Sequence, residues 1–238
     1  ADRMADFQVQ VQWLQNHFKV IRPGELEAYF RGELKDGPYL LFTFDDGLVN
    51  NLYVAEWLHL KGMQACFFVV PAFIQSENSE HYYRTHIRSN IDEHIDHELE
   101  DRSALNMDQL KHLLHLGHTI DSHTWSHLLR SDSTNRDVEI VQSANWLRDQ
   151  LHVDVFGFCS PIDTLFSVDA ESKKIIADTY RYHFTTIPGK NAERKDPLFI
   201  HRRNVEVHWT RGQFMYALGA WDLRRWQKRI SLFRSLGS

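Results

Sequence analysis

The sequence predicts an α/β fold, a parallel sheet covered by helices and closed or nearly closed into a barrel. Three observations predict it. Short apolar runs bounded by turn residues (Tyr39 to Phe44, Ala65 to Val70, Val155 to Phe158) have the texture of strands buried on both faces. Segments of helical period lie between them, and the strand–helix order repeats along the chain, as a parallel sheet with helical crossovers requires.

The elements follow in order. Residues 5–18, ADFQVQVQWLQNHF, space Phe7, Val11, Leu14 and Phe18 three or four apart, an amphipathic helix over one edge of the core. Pro23-Gly24 punctuates, and Glu25 to Phe30 reads as a short helix ending near Gly32. Asp36-Gly37-Pro38 leads into the strand Tyr39 to Phe44, which ends at Asp45-Asp46-Gly47. A helix through Ala55, Leu58 and Leu60, then Gly62 and the strand Ala65 to Val70, complete a βαβ unit. The rhythm recurs as helix Met107 to Leu116, strand His118 to Ile120, a polar cluster Asp121 to His127, helix Val138 to Leu151 and strand Val155 to Phe158. A helix at Ala170 to Ala177 and a strand near Tyr182 to Thr186 extend it. Residues 75–105 are polar, acidic and histidine-rich, with helical spacing in IDEHIDHELE, and read as a helical or loop insertion in one domain spanning 1–238. A lid and a solvated amphipathic helix both fit that texture.

A chain of 238 residues with 42% hydrophobic and 25% charged residues is of ordinary globular composition and builds one core without staples. A net charge of -5 offers no basic footprint for a phosphate backbone, so nucleic acid is excluded as the expected partner. Cys66 and Cys159 each sit in an apolar run, as buried free thiols do. No apolar stretch is long enough to span a bilayer, and no basic-then-apolar leader opens the sequence, so the expected compartment is the cytoplasm rather than the periplasm or envelope.

Two constellations carry chemistry. Asp45 and Asp46, adjacent at a strand end, point in different directions, so one can ligate a cation while the other stays free as a base; Asp-Asp-Gly is also the sequence of an ordinary turn. His123 and His127, four apart in SHTWSH, can share one metal, although a pair in a chain with 15 histidines can also arise by chance. Together, two histidines and a carboxylate form a facial set with coordination positions left open, which a Lewis-acid site needs. Phe158-Cys159-Ser160-Pro161-Ile162-Asp163 breaks from a strand into a loop on the same rim, with a plain turn as the alternative. His201-Arg202-Arg203 could hold an anionic sugar or pair with the acidic insertion.

These residues resemble the polysaccharide deacetylase family, carbohydrate esterase family 4. LLFTFDDG at 40–47 is similar to its first motif, KGMQACFFV at 61–69 to the strand that follows, and NMDQLKHLLHLGHTIDSHTWSH at 106–127 to the helix and second motif. FQVQVQWLQNHFKVIRPGELEAYFRGE at 7–33 and FTTIPGKN at 184–191 resemble a subgroup acting on bacterial surface or exported polysaccharides. The resemblance implies a distorted, TIM-like barrel of about seven strands and a hydrolase that removes an acetyl or similar small acyl group from a sugar. It implies one divalent metal on Asp46, His123 and His127, zinc before cobalt, nickel or iron, and Asp45 as general base. It also implies an oxyanion-binding amide at Ile162 beside Pro161.

The chain departs from the family pattern in the third motif. Cys159 stands where many members have an Arg that clamps the base, so no clamp is expected. The final Leu-x-His motif survives only as Ile200-His201, leaving His201 as the candidate acid. Trp125 lines a sugar subsite or packs in the core, and Arg202 is a candidate substrate contact. The rival reading is a deacetylase-like domain that binds sugar or metal without turnover.

Overall fold

In the computed structural model, residues 3–88, 102–129, 135–161, 164–192 and 195–219 are described. The elements run α1 (Arg3–His17), β1 (Lys19–Val20), a 3-10 turn (Pro23–Glu25), α2 (Leu26–Arg31), β2 (Tyr39–Leu40), β3 (Phe42–Phe44), α3 (Asn51–Leu60), β4 (Ala65–Val69) and α4 (Pro71–Ile74). There follow α5 (Ser79–Tyr82), a π-helical turn (Tyr83–Ile87), α6 (Met107–His115), β5 (Thr119–Ser122), a second π-helical segment (Asp137–Gln142) and α7 (Ser143–Leu151). The chain continues through β6 (Gly157–Cys159), α8 (Thr164–Ser167), α9 (Ala170–Thr179), β7 (Tyr182–Phe184) and α10 (Arg211–Gly219).

Among the described residues, the strands named above all pair in parallel. β3-β4-β5-β6-β7 form one five-stranded sheet and β1-β2 a two-stranded one. The single run expected at Tyr39 to Phe44 breaks at Leu41: Tyr39 and Leu40 pair with β1, Phe42 to Phe44 with β4, so one segment joins the two sheets. Beyond β7 the segment at 200–202 continues the ladder, with Ile200 N donating to His183 O and Arg202 N to Ile187 O. The result is a curled, parallel half-barrel with helices outside, the distorted barrel expected from the sequence.

Side-chain alternation separates the two faces. On β4, Ala65, Phe67 and Val69 pack with the helix-facing core that contains Leu58, Leu110, Leu113 and Leu147. Cys66 and Phe68 point the other way, into an inner cluster with Cys159, Tyr182, Phe184 and Ile200. Phe67 and Phe68 are fully buried on opposite faces, each contributing roughly 1.5–3 kcal/mol of apolar burial. β5 runs two residues further than its apolar portion suggests, because its polar residues are paired. Ser122 Oγ lies 2.7 Å from Ser143 Oγ, and Asp121 accepts from the amides of Phe156 at 3.0 Å and Gly157 at 2.8 Å. Among the described residues no helix is long and apolar enough to cross a membrane.

Of the 75–105 excursion, the parts on either side of 89–101 are described. It leaves after α4 and returns beside the first aspartates, where Leu105 N donates to Gly47 O and Val49 N to Ser103 O.

Candidate active site

The candidate residues gather at the carboxyl ends of β3, β5 and β6, where a parallel barrel collects its ligands. Asp45 and Asp46 leave β3 in a tight turn, and Asp46 (φ 72°) and Gly47 (φ 80°) are both left-handed. A Cβ at Gly47 would meet Val69 Cγ1 at 3.0 Å, so the turn can lie against β4 only with glycine there. His123 follows β5 directly and is anchored by its amide to Val69 O. The loop to His127 then turns twice through left-handed conformations, at Thr124 (φ 66°) and His127 (φ 65°). A non-glycine residue held there costs on the order of 1–3 kcal/mol and persists where surrounding contacts over-determine it.

Asp46 Oδ1 lies 3.5 Å from His123 Nε2 and 3.4 Å from His127 Nε2. Two donors about 2.0–2.1 Å from a tetrahedral ion stand about 3.3–3.4 Å apart, so each histidine nitrogen stands from Asp46 about as one cation would hold it, and the three ligand atoms lie within 4.8 Å of one another. The other ring nitrogens are committed to carbonyls. His123 Nδ1 lies 2.8 Å from Cys159 O, and His127 Nδ1 lies 3.1 Å from His86 O. Donation from Nδ1 leaves a lone pair on each Nε2 facing Asp46, the outer arrangement of metal-ligating histidines. Burial lowers the pKa of His127 and favours the neutral imidazole. The donor set therefore fits a divalent cation.

Asp45 is adjacent, its Oδ2 3.9 Å from His123 Nε2, and a clamp is present after all. Arg202 Nη1 and Nη2 donate to its two oxygens at 2.7 and 2.8 Å. Arg202 is itself fixed by Nε donating to Thr185 O at 3.1 Å, Nη1 to Thr43 Oγ1 at 3.3 Å, and its guanidinium over the Phe68 ring. Burial pushes the Asp45 pKa up, but the Arg202 guanidinium, which bonds both its oxygens, outweighs it and holds the carboxyl well below the usual range. Cys159 is fully buried with Sγ 3.8 Å from Asp45 Oδ2, so the clamp of the third motif is vacated there and supplied from the segment that follows β7 in the sheet. Among the described residues, the Arg202 guanidinium is thus directed at Asp45, Thr185 and Thr43.

His201 requires a second correction. Ile200 and Arg202 face the barrel interior, so His201 between them faces outward. Its Nδ1 lies 3.1 Å from Ile187 O, and its ring packs edge-on against Phe199 and so close to Gly189 that a Cβ there would meet it at 2.5 Å. Its ring is thus held on the Ile187 and Phe199 side of the segment, opposite the Arg202 side chain that binds Asp45. The Trp125 indole packs edge-on against Trp146 of α7. Pro161 is buried, following Ser160, whose Oγ lies 2.5 Å from His183 Nε2. Ile162 lies outside the described residues.

Three contacts have no sequence signal. Glu139, on the second π-helical segment, binds Ser126; Tyr82 Oη donates to Ser126 O at 3.1 Å; and His86 offers its carbonyl to His127.

A parallel half-barrel with a clamped carboxylate beside a two-histidine, one-carboxylate set is the layout of a hydrolytic centre. The polysaccharide deacetylase family profile matches residues 33–176, and the chain belongs to that family. Among solved structures it is similar to IcaB from Ammonifex degensii (19% identity, TM-score 0.68, covering 92% of this chain and 88% of that one). It is also similar to the Streptococcus pyogenes deacetylase PplD in complex with acetate (17%, 0.65, 87% and 83%). A third is BC0361, a polysaccharide deacetylase from Bacillus cereus (20%, 0.63, 90% and 61%). The chain thus spans about three fifths of BC0361, and 60% of BA0330 from Bacillus anthracis. At these identities the likeness establishes the fold. No curated protein matches the sequence.

Proposed function

We propose that this chain is the single catalytic domain of a divalent-metal-dependent hydrolase that removes an acetyl group from a sugar of a bacterial surface polysaccharide or its precursor. The observation that carries it is the spacing of Asp46, His123 and His127, with both Nδ1 atoms tied to carbonyls, directly beside the clamped Asp45. Zinc suits a set of two imidazoles and one carboxylate, with cobalt, nickel or iron as substitutes. When bound, such an ion supplies Lewis acidity that acidifies water and polarises the acetyl carbonyl.

Asp45, ionised at neutral pH and fixed in orientation by Arg202, takes the proton of the attacking water. Its low proton affinity makes it a weak base on its own, so its contribution is placement, and it relies on the water being acidic already. The same low affinity makes protonated Asp45 a ready donor to the leaving nitrogen or oxygen. With His201 turned outward, Asp45 is the group among the described residues placed to return that proton. Membership of the family and the acetate in the similar Streptococcus deacetylase support the acyl group chosen.

The test is acetate release from a partly acetylated glucosamine polymer by zinc-loaded protein. Asp45→Asn is expected to bind zinc normally and lose roughly 10²- to 10⁴-fold in turnover. Full activity in that variant would sink the base role, and absence of zinc binding in the wild type would sink the metal reading.

A further inference from the structure

The loop that carries both histidines is an improbable conformation held from two sides. Thr124 and His127 are left-handed without being glycine, so the backbone between them must be fixed by its neighbours. On one side stand Tyr82 and the His86 carbonyl, described above. On the other is Glu139, a carboxylate only 5% exposed that spends both its oxygens on one residue of this loop. Oε2 accepts from Ser126 N at 2.9 Å and Oε1 from Ser126 Oγ at 2.7 Å, while the main-chain carbonyl of Glu139 accepts from Trp125 N at 3.1 Å. Residues 125 and 126 are thus fixed from a single side chain and its backbone, immediately before His127. Glu139 sits in the π-helical segment Asp137–Gln142, a local widening that recurs at functional sites.

We infer that Glu139 is a positioning residue for the cation site, acting through Ser126 to fix His127 at the distance from Asp46 that one ion requires. The inference rests on the metal reading above and deepens it. Glu139 touches none of the three donors. Its effect is on their preorganisation, because a loop free to relax from its left-handed turns must be re-ordered each time an ion binds.

The test is the zinc dissociation constant measured by competition with a chromophoric chelator, together with the rise in melting temperature on adding zinc. Glu139→Ala is expected to weaken zinc about 10- to 100-fold and to shrink the zinc-induced rise. Glu139→Gln, which keeps an acceptor for the Ser126 amide, is expected to restore affinity to within about threefold of wild type. A purely structural role would lower the melting temperature of apo and zinc-loaded protein equally and leave affinity unchanged, and that result overturns the inference. Should Glu139→Ala not fold, Ser126→Ala removes one of the two bonds and is expected to weaken zinc several-fold, with unchanged affinity again overturning it. Wild-type protein that binds no zinc refutes the metal reading itself, whereas zinc binding equal in wild type and variants refutes only the role of Glu139.

Discussion

Replacing Arg202 by Met removes the clamp while keeping an unbranched, apolar stem of similar length. Four hydrogen bonds are lost: two to Asp45, at 2.7 and 2.8 Å, one to Thr185 O and one to Thr43 Oγ1. Removing one partner of a buried ion pair costs about 3–5 kcal/mol. Here the Asp45 side chain is 31% exposed and that of Arg202 15%, so water partly replaces the lost donors. A destabilisation of about 2–3 kcal/mol follows, which for a domain of this size is a fall in Tm of roughly 5–10 °C. The sign with pH is determinate. Asp45 has a folded pKa below its unfolded value, so its contribution is present above the unfolded value and is lost as pH falls through the folded one. The gap between wild type and Arg202→Met should therefore be full at pH 7 and narrow below about pH 4. In the kinetics, a misplaced base should lower kcat/KM by roughly 100-fold, with the acid limb of the pH profile moving upward because burial now acts on Asp45 unopposed. Thermal unfolding between pH 3 and 8 and acetate-release kinetics over the same range measure both. A double change, Cys159→Arg with Arg202→Leu, places an arginine at the residue whose Sγ lies 3.8 Å from Asp45 Oδ2 and should recover part of the lost activity. An Arg202→Met protein with wild-type Tm and an unmoved acid limb would refute the clamp.

Two further outcomes are expected. His201→Ala should keep kcat/KM within about threefold of wild type, because the ring faces away from Asp45; a loss of about 100-fold or more would reinstate it as the acid. Burial pushes Asp121 up to about 7 despite the Gly157 and Phe156 amides and the Thr119 hydroxyl that bond it. Its folded pKa is thus above its unfolded one, so its contribution is full below about pH 4 and falls as pH rises towards 7. Asp121→Asn, whose oxygen can still accept both amides and whose amide can donate to Thr119 Oγ1, should flatten the slope of Tm against pH between 4 and 7; an unchanged slope would show that the carboxyl does not titrate there.

The legible parts of the molecule were those encoded by contiguous residues. The buried strand expected at Ala65 to Val70, the one expected at Val155 to Phe158 that begins two residues later as Gly157–Cys159, the helices α1 and α6, and the alternation that makes the sheet parallel follow from local period and turn residues. Asp45-Asp46-Gly47 and the His123/His127 spacing were equally local, and the structure brings these four side chains together. Where the reading slipped, the cause was a neighbour remote in the chain. β5 extends through Asp121 and Ser122 because α7 and the start of β6 provide partners for them. The apolar run at 39–44 splits at Leu41 because its two halves pair with different strands.

By itself, the sequence determined that this is a parallel α/β barrel with a carboxylate pair and two histidines at its strand ends, since those features rest on periodicity and short spacing. Only the tertiary structure decided what surrounds them. Arg202 reaches Asp45 across 157 residues of sequence, and Glu139 meets the histidine loop from a π-helical segment. His201 turns outward because its neighbour turns in. The physical reason is common to all three: which face a side chain presents depends on the register of one element against another, and that register is set by packing and pairing between distant segments, which no local pattern records.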